Sequence, residues 1–546
     1  MSVLAYMPCG ADGIIIRVEA DIRRGIPGFD ITGLAEGAVR EARERVRAAF
    51  RNSGFAFPLD RVLINLAPAG LRKEGASLDL PIALSVMSAA GIAPAADNLL
   101  VMGELELSGR IRPVRGVLAA VAAGLAEGID GFIIPMENAA EAAILAGARF
   151  TAAENLREAV HSLFIREETG SLPAPVIPEA AGAMADNASS GDFADVRGQG
   201  VYKRALEIAA AGGHNMLVFG PPGAGKTMLA RRLPSIMAPL TGDEAVEVTR
   251  LYSLAGPLKN GAGTGYIDRL ITHPPFRAPH HSASAEGILG GGRSPRPGEI
   301  SLAHYGVLFL DEAPEYRVNV LQALREPLED RVISIVRAEG PLRLPAEFQL
   351  LMAANSCPCG RLGIQNAAAG GGADESGYGA MSCFCSPEEI CRYWRKFSGA
   401  LLDRIEIRAA ILPPKISEID TYNEPEKNEG SGAIARRVLA AVEIQRWRFR
   451  GTGIRRNALI PSGKIETLCP MGERAKSAFH KAAARLGFSG RAYHGILRVA
   501  RTIADLANSE VIEAEHILEA VQHRRLGEDP WDIMTAAPVS PPKQHL

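Results

Sequence analysis

The residues with the clearest chemistry lie in "LVFGPPGAGKTMLA", from Leu217 to Ala230. An apolar run enters a loop of glycine, proline and alanine, the loop ends in a lysine and a threonine, and an apolar helical pattern follows. Gly220, Pro221, Pro222, Gly223, Ala224, Gly225, Lys226 and Thr227 fit the phosphate-binding spacing G-x-x-x-x-G-K-[ST] between a strand and a helix. Glycines let the backbone wrap so that successive N–H groups point at phosphate oxygens. The following helix aims its positive N-terminus at the same anion. Lys226 is expected to reach the β- and γ-phosphates of ATP, and Thr227 to hold Mg²⁺.

Two further strand ends supply what hydrolysis needs. In "GVLFLDEAPE", Val307 to Leu310 read as a buried parallel strand, with Asp311 placed to support Mg²⁺ and Glu312 to orient and deprotonate the attacking water. "EFQLLMAAN" is a third strand, and Asn355 at its tip can touch the γ-phosphate and the water. Each acid or amide alone is an ordinary strand end; beside the phosphate loop they form a hydrolytic set.

Four of the seven cysteines come as two pairs, Cys357 with Cys359 and Cys383 with Cys385. Two thiolate pairs on a closed loop fit tetrahedral Zn²⁺, although C-x-C replaces the usual C-x-x-C, and free reduced thiols are the alternative. Cys391 reads as a bystander on the next helix.

The 546 residues suit about three domains. With 47% hydrophobic residues, 22% charged residues and net charge −2, the chain has no global basic field, so nucleic-acid contact must come from local patches. The start "MSVLAYMPCGADG" has no secretory pattern, and the run Leu80 to Ala96, broken by prolines and a glycine, reads as a buried helix rather than a membrane span. A cytoplasmic protein is expected.

Around these sites the chain divides into a mixed α/β domain at 1–167, a Pro/Ala/Gly/Ser-rich linker at 168–191, an α/β core at 192–412, helices at 413–526 and a tail at 527–546. In the first domain, "GIIIRVEADI" and "GFDITGL" around "RRGIP" predict one hairpin, and "VMGELELSGRIRPV" predicts a second, turning at Ser108-Gly109. "RVISIVRAEGPLRLPAEF" predicts a hairpin running into the third strand of the core.

The three strand-end motifs resemble Walker A, Walker B and sensor 1 of an AAA+ ATPase. "FRAPHHSASAEGILGGG", "PRPGEISLAHYGVLFLDEAPE", "LQALREPLE" and "SGALLDRIEI" resemble the magnesium-chelatase-like ATPases of the ComM/YifB family along nearly the whole chain. The resemblance implies an AAA+ P-loop domain with a parallel sheet, a C-terminal helical lid, and a ring, usually a hexamer, with ATP between subunits. It also implies DNA, single-stranded or branched, as substrate, and branch-migration helicase activity in natural transformation. Arg404 of "LLDRIEI" matches the arginine finger, and Arg491 of "SGRAYHGILRVARTIADL" matches sensor 2, with Arg498 and Arg501 as competitors.

"LRKEGASLDLPIAL" and "GELELSGRIRPVRGVLAAVAAG" resemble the Lon-protease-like fold. Ser77 takes the position of the serine in a Ser–Lys dyad, but "GVLAAVAAG" is apolar where the lysine belongs, so Ser77 lacks a base. A scaffold or DNA-binding role is expected instead, with Arg72, Lys73 and Arg110 as possible contacts. Three other segments are DNA candidates. They are the core hairpin with Arg337 and Arg343, the loop with Arg277, His280, His281, Arg293 and Arg296, and "QRWRFRGTGIRR" with Trp447 and Phe449. The last reads equally well as helix-end arginines over a packed tryptophan, and the "HH" pair lacks a third spaced metal ligand. Two other activities share parts of this pattern. A metal-chelatase subunit is opposed by the Lon-like domain and the C-x-C pairs, and an ATP-dependent protease by the missing lysine.

Overall fold

The first 170 residues alternate strands and helices: β1 (Ser2–Met7), β2 (Ile14–Arg23), β3 (Gly28–Thr32), α1 (Gly37–Asn52), β4 (Arg61–Ala67), α2 (Asp79–Ala89), β5 (Leu99–Val101), β6 (Glu104–Leu105), β7 (Ile111–Arg112), α3 (Val117–Ala126), β8 (Gly131–Pro135), β9 (Phe150–Ala153) and α4 (Leu156–Thr169). The computed structural model describes residues 2–11, 13–34, 37–73, 75–175, 191–256, 258–260, 263–265, 267–292, 296–337, 340–362, 383–412 and 428–525. Most of the expected linker, Arg293, the tip of the core hairpin, the stretch between the two cysteine pairs and the tail lie outside the described residues.

Seven of these strands form one sheet in the order β3-β4-β2-β1-β5-β8-β9. β2 and β3 do not form the expected hairpin, because β4 lies between them, antiparallel to β2 and parallel to β3. The connection from β3 to β4 runs through α1, and a helical crossover returns the chain parallel to the strand it left. Val62, Ile64 and Leu66 of β4 are fully buried there, which a β2–β3 pair would not achieve. The second hairpin forms as expected: β6 pairs with β7, and Gly109 takes φ +89° in the turn. Every residue of α2 from Asp79 to Ser88 is buried, consistent with an interior helix. Among the described residues no helix is long and apolar enough to cross a membrane.

The core follows with α5 (Gly200–Gly212), β10 (Met216–Phe219), α6 (Lys226–Ala230), α7 (Gly242–Ala255), β11 (Phe276–Arg277), β12 (Val307–Leu310), α8 (Val318–Ala323), α9 (Arg325–Asp330), β13 (Val332–Arg337), β14 (Gly340–Pro345), β15 (Gln349–Ala354), α10 (Pro387–Trp394) and β16 (Ile407–Ala410). Five strands make a wholly parallel sheet, β11-β12-β15-β10-β16. β10, β12 and β15 are buried along their full lengths, which is why each reads as an unbroken apolar run. The last four long helices are α11 (Ser431–Arg448), α12 (Glu473–Leu486), α13 (Gly490–Leu506) and α14 (Ala514–Arg525). Residues of all four share one hydrophobic core with α5, β10 and β16.

The first domain is anchored to the core through the end of α7. Leu254 is 2% exposed within the apolar cluster of Tyr6, Val117 and Phe132. Ser253 donates from its hydroxyl to the buried Glu141 carboxylate, and its carbonyl accepts from Gly116 N–H at 3.0 Å. Glu141 also accepts from Leu118 N–H at 3.0 Å and Asn138 Nδ2 at 2.8 Å, so the buried carboxylate is well satisfied.

Candidate functional site

Parallel pairing brings three strand ends to one edge. Phe219 of β10 lies opposite Ala354 of β15, and Leu310 of β12 opposite Met352. The phosphate loop, Asp311-Glu312 and Asn355 each begin where their strand stops, so all three sets meet at the carboxyl end of the sheet. Gly223 and Gly225 take φ of +78° and +85°, with open space around the point where a Cβ would sit. A backbone shaped this way lets phosphate approach closely. At the loop entry, a Cβ on Gly220 would meet Ile411 O at 2.3 Å, which fixes the loop against the exit of β16.

The side chains converge as their types require. Lys226 Nζ donates to Asn355 Oδ1 at 3.0 Å and to the carbonyls of Gly220 and Pro221, both at 2.8 Å. Thr227 Oγ1 donates to Asp311 Oδ2 at 2.8 Å, which places a hydroxyl and a carboxylate together where Mg²⁺ ligands belong. Burial pushes the Lys226 ammonium down to about 8, against the pull of Asp311 and Glu312. Glu312 has φ +49° and ψ +45°, left-handed backbone that is rare for a glutamate. Its N–H donates to Asp311 Oδ1 at 3.0 Å, and its side chain is 60% exposed.

Two neighbours of this site escape sequence reading. His281 Nδ1 lies 3.9 Å from Glu312 Oε2, so this residue of the basic loop stands beside the strand-end acids. Tyr202 is fully buried and donates its hydroxyl to the Lys226 carbonyl at 3.1 Å. Neither carries a local sequence signal, since both arrive from distant elements.

Arg404 and Arg491 lie together elsewhere: both reach the Glu329 carboxylate, Arg491 at 3.1 Å. The two competitors of Arg491 have partners within the helical region. Arg498 donates to Ile460 O at 2.9 Å, and the fully buried Arg501 serves Asp505 and the carbonyls of Ser509 and Glu510.

The four cysteine sulfurs lie within 4.8 Å of one another, and three are separated by 3.3, 3.6 and 3.6 Å. Zn–S bonds of about 2.3 Å in a tetrahedron put sulfurs about 3.8 Å apart, so the donor set fits Zn²⁺. The cluster touches the nucleotide loop, since a Cβ on Gly360 would meet Pro222 Cδ at 2.6 Å. Cys391 stands outside it on α10.

Several of the expected DNA contacts have partners within the chain. Arg277 forms a bidentate pair with Glu299 at 2.7 and 2.9 Å. Lys73 is buried, donates to the Pro68 carbonyl, and is therefore no surface contact. Arg110 pairs with Glu137 at 3.0 Å but is 62% exposed, so it stays at the surface. In the arginine-rich stretch, Arg448 pairs with the buried Asp505 at 2.5 and 2.9 Å, Phe449 is buried, and Arg455 lies 3.5 Å over the Tyr305 ring. That favours the helix-end reading, although Trp447 itself is 70% exposed rather than packed. Arg296 and Arg343 are exposed, and the side chain of Arg337 is not among those described. Helix α3, where a Lon-type lysine would stand, carries only apolar residues and glycine, so Ser77 has no base there.

Three family profiles match the chain. "Magnesium chelatase, subunit ChlI" covers residues 192–419, "Subunit ChlI of Mg-chelatase" covers 18–138, and "Magnesium chelatase, subunit ChlI C-terminal" covers 428–524. The chain is similar to the competence protein ComM of Haemophilus influenzae, at 38% identity over 95% of this chain and 96% of that protein. It is similar to protein YifB of Escherichia coli, at 37% identity over 95% of each. Lon protease of Desulfovibrio desulfuricans is 28% identical over 25% of this chain and 16% of its own length.

The depressed Lys226 sets a pH dependence. Phosphate binds the ammonium form, so the bound lysine titrates above the free one, and binding takes up a proton above about pH 8. ATP affinity should be full below pH 8 and fall about tenfold per pH unit above it. Titrating a fluorescent nucleotide between pH 7 and 9.5 checks this, and a Kd that stays flat contradicts it.

Proposed function

The chain belongs to the ComM/YifB family of magnesium-chelatase-like AAA+ ATPases, and from that premise we propose an ATP-hydrolysing ring motor acting on DNA, a branch-migration helicase of natural transformation and recombination. The observation that carries the hydrolytic half is the convergence of Lys226, Thr227, Asp311, Glu312 and Asn355 at one sheet edge. Lys226 holds the β- and γ-phosphates, and Asn355, hydrogen-bonded to it, orients the γ-phosphate and the attacking water. Glu312 takes the proton of that water as the bond to the γ-phosphorus forms and ADP leaves. Mg²⁺, held through Thr227 and Asp311, would neutralise charge on the phosphates. Arg404 supplies a cation to the nucleotide of the neighbouring subunit, which makes a ring, usually a hexamer, the active form.

The DNA half rests on topology. Strands β13 and β14 pair from Val332↔Pro345 to Arg337↔Gly340, and β14 leads into β15, which ends at Asn355. One root of this hairpin follows the helices after Glu312, and the other enters the strand that ends at the γ-phosphate site. Hydrolysis can therefore tilt the hairpin against a strand in the pore. The competence role in the name of the Haemophilus relative supports DNA as the substrate.

Replacing Arg337 and Arg343 together by alanine should leave ring assembly and basal ATPase within about twofold while DNA-stimulated ATPase and migration of a synthetic junction fall sharply. Junction products on a gel, with ATPase followed in parallel, give the readout. Full junction activity in the double variant would remove the hairpin as the DNA lever.

The Cys357, Cys359, Cys383 and Cys385 cluster is read as a structural Zn²⁺ site that steadies the loop after Asn355. Elemental analysis of the purified protein should give close to one Zn per chain, lost when Cys383 and Cys385 are replaced by serine. Metal-free protein with full ATPase would rule the site out.

A further inference from the structure

The sheet separates two clusters that a single subunit cannot use together. The phosphate loop follows Phe219 at the carboxyl end of β10. Arg404 belongs to the other end. Asn215, just before β10, donates its side-chain amide to the Arg404 carbonyl at 3.0 Å, and its N–H donates to Glu406 at 3.0 Å. Met216 at the start of β10 lies opposite Ile407 at the start of β16. Four strand residues put these two ends about 13 Å apart along the strand. The Arg404 side chain gives Nη1 to Ala400 O and Nη2 to Glu329. Arg491, in the first turn of α13, reaches the same carboxylate from the other side, at 3.1 Å on Oε1.

We propose that Glu329 is a positioning residue that joins Arg404 and Arg491 into one unit serving the nucleotide of the neighbouring subunit. The inference rests on the reading of Arg404 as an intersubunit finger. Each carboxylate oxygen takes one guanidinium, so the two cations sit within one carboxylate's width. Without the shared anion they would repel each other and lose their common direction. Arg404 is 12% exposed and held at two of its nitrogens, whereas Arg491 and Glu329 are each 52% exposed. The unit is thus anchored at Arg404 and open at Arg491. The neighbouring arginine holds the Glu329 carboxyl below the usual carboxylate range, so it stays ionised wherever ATP hydrolysis is measured.

The place of Glu329 in the chain adds a consequence. It lies on α9, three residues before Val332 opens the core hairpin. Arg331 between them takes left-handed backbone at φ +59°, and Ala346 N–H donates to its carbonyl at 2.8 Å as β14 leaves the hairpin. The arginine unit is therefore tied to the root of the same subunit's hairpin. A change at the neighbour's nucleotide has a path of direct contacts to the DNA lever.

The test uses full-length protein and subunit mixing. Glu329→Gln keeps the shape and removes the charge, and Glu329→Ala removes both. Each should lower ATP turnover at least tenfold while nucleotide affinity stays within about twofold. The effects of Arg404→Ala and Glu329→Ala should combine less than additively, since Arg404 acts within the unit that Glu329 holds together. Mixed with Lys226→Ala subunits, Glu329→Gln subunits should regain hydrolysis, because an intact phosphate loop then faces an intact arginine unit. A residue that merely supports its own subunit's site would show no recovery. Wild-type turnover in both Glu329 variants overturns the proposal. So does a lack of recovery under conditions where Arg404→Ala with Lys226→Ala does recover. If that control pair also fails to recover, the intersubunit reading of Arg404 has failed first.

Discussion

The whole site depends on the register of three parallel strands. β10, β15 and β12 must end at one edge, because the phosphate loop, Asn355 and Asp311-Glu312 follow their last residues directly. The hydrogen bonds Lys226–Asn355 and Thr227–Asp311 span separations of 129 and 84 residues in sequence, and only the shared sheet edge makes them possible. A slip of one residue in either pairing would turn the strand's side chains to the other face and carry its tip away from the phosphate. The burial of all three strands makes such a slip costly, so the apolar runs are as much a part of the chemistry as the polar tips.

The same sheet sets two groups of charged residues at opposite ends. Its carboxyl edge holds the phosphate loop and the hydrolytic acids, while Arg404 starts from the opposite edge and joins Arg491 on one carboxylate. The first domain bears on this core at two places. It grips the end of α7 through Leu254 and Ser253, and it meets the return strand of the hairpin, where a Cβ on Gly10 would lie 3.0 Å from Arg343 O. Helix α3 offers Ser77 no lysine, and these contacts join the first domain to the core.

The legible part of the sequence was the part governed by short-range rules. The loop spacing, the strands ending in Asp311-Glu312 and Asn355, and the long C-terminal helices are all local patterns, and the structure has them at those places. What stayed hidden was set by partners far along the chain. β4 comes between β2 and β3 because α1 carries the chain across, which no feature of "RRGIP" announces. Lys73 and Arg277 look like surface cations until the fold gives them Pro68 and Glu299. His281 falls in a basic loop of the sequence, and only the tertiary fold puts it beside Glu312. Arginine type and spacing do not distinguish Arg491 from Arg498 and Arg501, whose different partners come from the tertiary fold.

In the proposed reaction the acids at the end of β12 divide the work, with Asp311 supporting the metal and Glu312 activating water. The direct measurement is ATP binding and turnover by Glu312→Gln protein under identical conditions. ATP should bind with near wild-type affinity while turnover falls at least about a hundredfold, the usual scale for loss of a general base. Turnover at the wild-type rate would show that the water is activated elsewhere and would contradict the account.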